Sequence, residues 1–127
     1  MFDHIDFAVR DLVRSRAFYT AALAPLGIVP TIEIKRNDGR EGTGFGRDGR
    51  ARFWIGGGRI LDGRLHVAFT APSQAAVDAF HAAAVAAGGS DNGEPGPRLR
   101  YGRDYYAAFV IDPDGHNVEA VCQPEPA

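Results

Sequence analysis

The chain has 127 residues, 45% hydrophobic and 24% charged, with a formal net charge of −2. This size suits one domain with its own core, and the composition excludes a disordered chain. Near-neutral charge argues against a nucleic acid or an anionic membrane as partner, no apolar run is long enough to span a bilayer, and the single cysteine, Cys122, excludes an internal disulfide and fits a reducing, cytoplasmic compartment.

The opening MFDHIDFAV has neither the charged nor the long apolar region of a secretion signal. Residues 2–9 alternate instead: Ile5, Phe7 and Val9 form an apolar face, and His4, Asp6 and Ala8 form a more polar one, so a half-buried strand is expected. Asp11 is placed to cap a helix in which Leu12, Ser15, Phe18, Ala22 and Leu26 recur at helical spacing until Gly27. Residues 28–35 read as a second strand, Asn37-Asp38-Gly39 as a turn, 42–46 as a weak glycine-rich strand, and 51–55 as a fourth strand after Asp48-Gly49. The arginines at 36, 40, 47, 50 and 52 then fall on a solvated hairpin.

The second half repeats the first. In residues 65–70, Leu65, Val67 and Phe69 face one way, with His66, Ala68 and Thr70 the other. Ser73 caps a helix carrying Val77, Phe80, Ala84 and Ala87, which Gly88-Gly89 ends. Residues 90–98 hold too many glycines and prolines for a regular element, and 99–101 read as a short strand. Asp112-Pro113-Asp114-Gly115 is a turn between strands 107–111 and 117–122, with His116 solvated in the turn. Val118, Ala120 and Cys122 share the core face, which leaves Glu119 on the other.

An offset of 62 positions carries His4-Ile5-Asp6-Phe7-Ala8 onto His66-Val67-Ala68-Phe69-Thr70, and Phe18 onto Phe80. Each half therefore reads β-α-β-β-β. The expected fold is α+β: two modules, about 1–57 and 64–123, forming an incomplete mixed-sheet barrel around a cleft, with helices outside and residues 124–127 as a flexible tail. Joined side by side, the halves would give one continuous curved sheet.

His4 and His66 hold equivalent positions, and Glu119 shares the face of His66. Two imidazoles and one carboxylate make a facial donor set for a divalent cation. The alternatives are that these histidines are structural and that the cleft binds its ligand without metal. The counterpart of Glu119 in the first half is expected at Phe53, with Glu41 as another candidate for a fourth position. Trp54, Tyr101, Tyr105 and Tyr106 are placed to pack a ligand ring, a core or a subunit interface, and Arg98 and Arg100 to stand on the surface or to pair with a substrate anion.

The stretches DHIDFAVRDLVRSRAFYTAAL, LHVAFTAPSQAAVDAFHAAAVAAGG and YYAAFVIDPDGHNVEAV together resemble the vicinal oxygen chelate superfamily, which includes glyoxalase I, extradiol dioxygenases and bleomycin- and fosfomycin-resistance proteins. The resemblance implies paired modules around a metal-bearing cleft, often a homodimer, with metal positions falling on His4, His66 and Glu119. It implies a small-molecule substrate on Fe(II), Mn(II), Zn(II) or Ni(II), with lyase, isomerase or extradiol-type dioxygenase chemistry. Tyr101 and His81 are the candidate proton-transfer groups. The other readings are a metal-free protein binding a bleomycin-type drug and a dimer with a vestigial site.

Overall fold

A computed structural model describes residues 1–124; the expected tail lies, apart from Pro124, outside the described residues. The first module comprises β1 (Ile5–Ala8), α1 (Leu12–Leu23), β2 (Val29–Lys35), β3 (Glu41–Arg47) and β4 (Arg50–Gly56). The second comprises β5 (His66–Thr70), α2 (Gln74–Ala86), β6 (Ser90–Pro97), β7 (Tyr106–Ile111) and β8 (Asn117–Cys122). The strand orders are β1-β4-β3-β2 and β5-β8-β7-β6. In both modules the first strand runs parallel to the last, and the remaining pairings are antiparallel. The repeat thus holds at the level of topology. The two sheets are separate hydrogen-bonded units, not the single continuous sheet expected, because no strand of one module pairs with a strand of the other among the described residues.

Local chemistry explains the elements. Asp11 accepts from the Arg14 amide at 3.1 Å, and Ser73 from the Ala76 amide at 3.1 Å, so both helices start at a side-chain cap. A 3-10 turn at Ala24–Leu26 extends α1, and Gly27 closes it in the left-handed region at φ 77°. The β3–β4 hairpin turns on Asp48 and Gly49, both with positive φ, as a two-residue connection requires.

The Gly- and Pro-rich stretch expected to be irregular is β6. It is an edge strand whose pairing with β7 is interrupted twice, between Asp91 and Gly93 and between Gly93 and Gly96. An edge position tolerates Pro95 and Pro97, because only one side of the strand needs its amides. Residues 99–101, expected as a strand, form a turn closed by Tyr101 donating to the Arg98 carbonyl at 2.9 Å.

One core joins the modules. Phe18, Tyr19, Phe45, Ile55, Val77, Phe80 and Val110 are all buried in a common cluster. The rings of Phe53 on β4 and Phe69 on β5 meet at 5.0 Å across the module boundary. Helix α1 packs on α2, which also lies over β6, β7 and β8. Burying these apolar faces against the helices leaves the opposite face of each sheet for polar work.

Polar contacts lock the same boundary. Arg47 at the end of β3 donates to the Leu26 carbonyl at 2.8 Å and to the Thr70 carbonyl at 2.6 Å. His116, expected to be solvated, is buried instead: its Nδ1 accepts from the Leu65 amide at 3.0 Å, and its ring meets Phe7 edge-on at 5.2 Å. The turn that carries His116 folds back under the strand entry, so the imidazole satisfies an amide that would otherwise be orphaned.

Candidate functional site

Glu119 on β8 organises the site. The hairpin register sets Phe109 opposite Glu119, and the parallel register sets Ala68 opposite Glu119. Since side chains alternate along a strand, His66, Tyr105, Phe109 and Glu119 share the face turned away from α2. Glu119 is only 2% exposed. A carboxylate buried to that degree needs partners, and it has two. His66 donates through Nε2 to Oε1 at 2.8 Å, and the Tyr105 hydroxyl donates to Oε2. Burial, followed by the hydrogen bond to Glu119 and the charge of that carboxylate, pushes the Tyr105 phenol up to about 12. Tyr105 therefore stays a proton donor to Glu119 across the physiological range.

Around this pair, the His66 ring lies 6.2 Å from that of Phe109, the Arg98 guanidinium sits 5.4 Å over Phe109, and Tyr101 stacks edge-on to Tyr105 at 5.4 Å. Arg100 lies 4.9 Å over the Tyr101 ring. Tyr101 is exposed, one ring removed from the Glu119 carboxylate. His81 is elsewhere: it sits on α2 and donates to Asp91 of β6 at 2.9 Å, on the helix side of the sheet. Tyr106 also points away from Glu119 and donates to Asp78 of α2 at 2.6 Å. Cys122, expected in the core, is a free thiol at its edge.

His4 lies on the other module. Its Nδ1 donates to Asp3 Oδ1 at 2.7 Å, and Nε2 has no hydrogen-bond partner among the described residues. The structure brings His66 and Glu119 together but does not bring His4 to them. Among the described residues no three His, Cys, Asp or Glu side chains are grouped to hold a metal ion. One chain therefore presents two donors at one place and a third, symmetry-equivalent donor at another.

The register also corrects the expected fourth position. Ile5 pairs with Phe53 in the first module, and its equivalent Val67 pairs with Val118 in the second. Phe53 thus corresponds to Val118, and both are buried in the core. The counterpart of Glu119 is Trp54. Counting from the turns misplaces it because the β3–β4 connection is shorter than the β7–β8 one and β4 carries an extra residue, Arg52, between Ala51 and Phe53, which pair with the adjacent Gly46 and Phe45. Glu41 sits opposite Lys35 on the reverse face.

In the sequence, Tyr105 reads only as a packing ring. Alternation could have revealed its role, since Tyr105 and Phe109 are four residues apart on one strand face and Phe109 lies opposite Glu119.

A profile described as the Glyoxalase/Bleomycin resistance protein/Dioxygenase superfamily matches residues 1–120. No curated protein sequence matches the chain. Among solved structures, a glyoxalase/bleomycin resistance protein from Albidiferax ferrireducens T118 is 33% identical, with a TM-score of 0.77 over 98% of this chain and 99% of that one. The fosfomycin resistance protein FosX from Listeria monocytogenes, solved as a glutamate-to-glutamine mutant with Mn(II) and 1S,2S-dihydroxypropylphosphonic acid, is 21% identical, with a TM-score of 0.70 over 98% and 93%. Glyoxalase I from Zea mays is 20% identical with a TM-score of 0.70 over 98% of this chain, which spans 45% of that one. No helix among the described residues is long and apolar enough to cross a membrane.

Proposed function

Because the chain belongs to the Glyoxalase/Bleomycin resistance protein/Dioxygenase superfamily, we propose that it is a metal-dependent enzyme acting on a small substrate with two adjacent oxygens. His66 Nε2 and Glu119 Oε1 are two donors of its divalent cation. The third is His4, supplied across a homodimer by the partner's His4. The observation that carries this reading is the His66–Glu119 pair, with its oxygen and nitrogen 2.8 Å apart around a buried carboxylate.

The donor chemistry fits. A neutral imidazole nitrogen and a carboxylate oxygen suit Fe(II), Mn(II), Zn(II) or Ni(II). Asp3 holds His4 with Nε2 available, which is the orientation that a ligating histidine needs. The separation of His4 from the pair within one chain, together with their pseudosymmetry, supports assembly between two copies. When bound, the cation supplies Lewis-acid polarisation of the substrate oxygens.

The residues of the chain do the rest. Tyr105 fixes Oε2 of Glu119 so that Oε1 keeps its aim. Tyr101 stands at the outer side of Tyr105, where it can pass a proton to solvent. His81 faces the helix side and is assigned no step. Trp54 at the fourth position leaves three protein donors and open coordination for substrate. A cytoplasmic, reducing setting fits the free thiol of Cys122.

One observation favours a second reading, a metal-free binding protein: both Glu119 oxygens already have partners within the chain. A bleomycin-type drug would then be a candidate ligand. Metal analysis separates the two readings. Purified protein is dialysed against Mn(II) or Zn(II), alone and as His66→Ala, Glu119→Gln and His4→Ala. The metalloenzyme reading expects about one ion per chain, lost in all three variants, and partly regained on mixing His4→Ala with His66→Ala protomers. Full occupancy surviving His66→Ala overturns it, and drug binding unaffected by chelator supports the second reading.

A further inference from the structure

Each sheet has two free edges, and the chain treats them differently. The far edges are β2 and β6. Pro30 sits in β2, where the register slips between Pro30 and Ile32, and β6 carries Pro95 and Pro97 with two breaks of its own. Prolines and bulges of this kind stop another strand from adding. The near edges, β1 and β5, have neither, and both pair with their neighbours in unbroken register.

Each near edge is covered only at its end. Ile60 bridges to Ala8 at the end of β1, and Arg47 donates to the Thr70 carbonyl at 2.6 Å at the end of β5. Val9 and Ala71 donate inward, to Gly56 and Val121, at 2.8 Å each. Alternation then turns the backbone groups of Asp6, and of His66 and Ala68, toward the free edge. The open halves of the two edges are thus the halves next to His4 and His66.

Between these edges lies a hollow of about 600 Å³, lined among others by Phe2, Ile5, Phe45, Phe53, Val67 and Phe69. Phe2 is 72% exposed and Ile5 38%, although both belong to this apolar surface. The mouth carries both signs of charge, with Arg50 and Arg52 beside Asp48.

We infer that this seam receives a second copy of the chain. β1 of each copy lies along β5 of the other about a two-fold axis, and Phe2 and Ile5 of each fill the other's hollow. The inference rests on the two-copy reading above for the identity of the occupant, and adds the surface that receives it. A two-fold pairing uses both open edges at once and leaves no template for a third copy. It sets each His4 beside the partner's His66, and it builds across two chains the continuous sheet that one chain lacks.

Sedimentation of the full chain in excess chelator tests this. The expected mass is twice the 13.6 kDa of one chain, since the contact needs no metal. Phe2→Glu combined with Ile5→Lys is expected to weaken association at least about 30-fold, as loss of a central interface anchor does. Val13→Glu, on an exposed position of α1, is expected to leave association unchanged. Circular dichroism is expected to show the seam variant folded, because both substituted residues are exposed in one chain. Cross-linking locates the contact independently. In a Cys122→Ser background, mixed Asp6→Cys and Ala68→Cys protomers are expected to join through a short bismaleimide, and Val13→Cys to join with neither. A monomeric wild type, a dimer indifferent to the seam variant, or cross-linking no better than that of Val13→Cys overturns the inference. His66→Ala is expected to stay dimeric while losing metal, so the two proposals fail separately. A seam dimer that binds no metal sinks only the metal reading, and a metal-binding dimer that ignores the seam variant sinks only this one.

Discussion

Tyr19 on α1 donates its phenolic hydrogen to Asp112 in the β7–β8 turn, so the first module's helix is tied to the second module's hairpin. Both groups are buried, and the other Asp112 oxygen accepts from the Asp114 and His116 amides at 2.9 and 2.8 Å. The carboxylate thus shapes its own turn and anchors the neighbouring module at once.

Tyr19→Phe strips that carboxylate of its hydroxyl partner and is expected to cost about 1–3 kcal/mol, read by urea denaturation at neutral pH. The same variant has a pH signature. Burial first, then the Asp112 charge, pushes the Tyr19 phenol well above its ordinary 10.0, so the fold favours the protonated form. The stability this contributes is whole below pH 10.0 and drains away as pH rises beyond it toward the folded-state value. The alkaline loss of stability should be shallower in Tyr19→Phe, and superimposable curves for the two proteins would refute the assignment.

Arg47 spans two carbonyls from different modules, with Nε and Nη2 on Leu26 at 3.1 and 2.8 Å and Nη2 on Thr70 at 2.6 Å. A lysine keeps the charge but has no fork to reach both. Arg47→Lys is therefore expected to lower stability by about 1–2 kcal/mol, with Arg47→Gln costing at least as much. Thermal unfolding measures it, and wild-type stability in the lysine variant would mean the span contributes nothing.

Tyr105→Phe removes the donor that holds Glu119 Oε2. With the carboxylate free to rotate, affinity for Mn(II) or Zn(II) is expected to fall about 10–100-fold, measured by titration calorimetry. Unchanged affinity would show that Glu119 is oriented without its tyrosine.

Much of the architecture is legible because both halves carry the same alternation. His4 and His66 open equivalent strands, and the Asp-Pro-Asp-Gly turn fixes the last hairpin, so counting separates Glu119 from Val118 and Ala120. The same count fails in the first module. A bulge at Arg52 of β4 and a tighter turn at Asp48-Gly49 shift the register by one, and a single step exchanges a core residue for one on the opposite face. Counting therefore lands on Phe53 where the structure has Trp54.

Other residues are hidden by tertiary context. A turn histidine is solvated by default, and only the packing of Phe7 and the Leu65 amide around His116 makes it a buried acceptor. Asp112 reads as a turn former, and nothing local reveals that Tyr19 reaches it from the other half of the chain. Likewise the pairing of His4 and His66 in sequence says that they are equivalent, which is a statement about symmetry and not about proximity.

The proline-bearing β6 has a bearing on how copies of this protein behave at high concentration. Pro95 and Pro97 remove two amide donors from the outer rim of its sheet, and the two register breaks bend what remains. An incoming strand finds no unbroken ladder to copy there, so fibril growth by cross-β addition has no template along that margin.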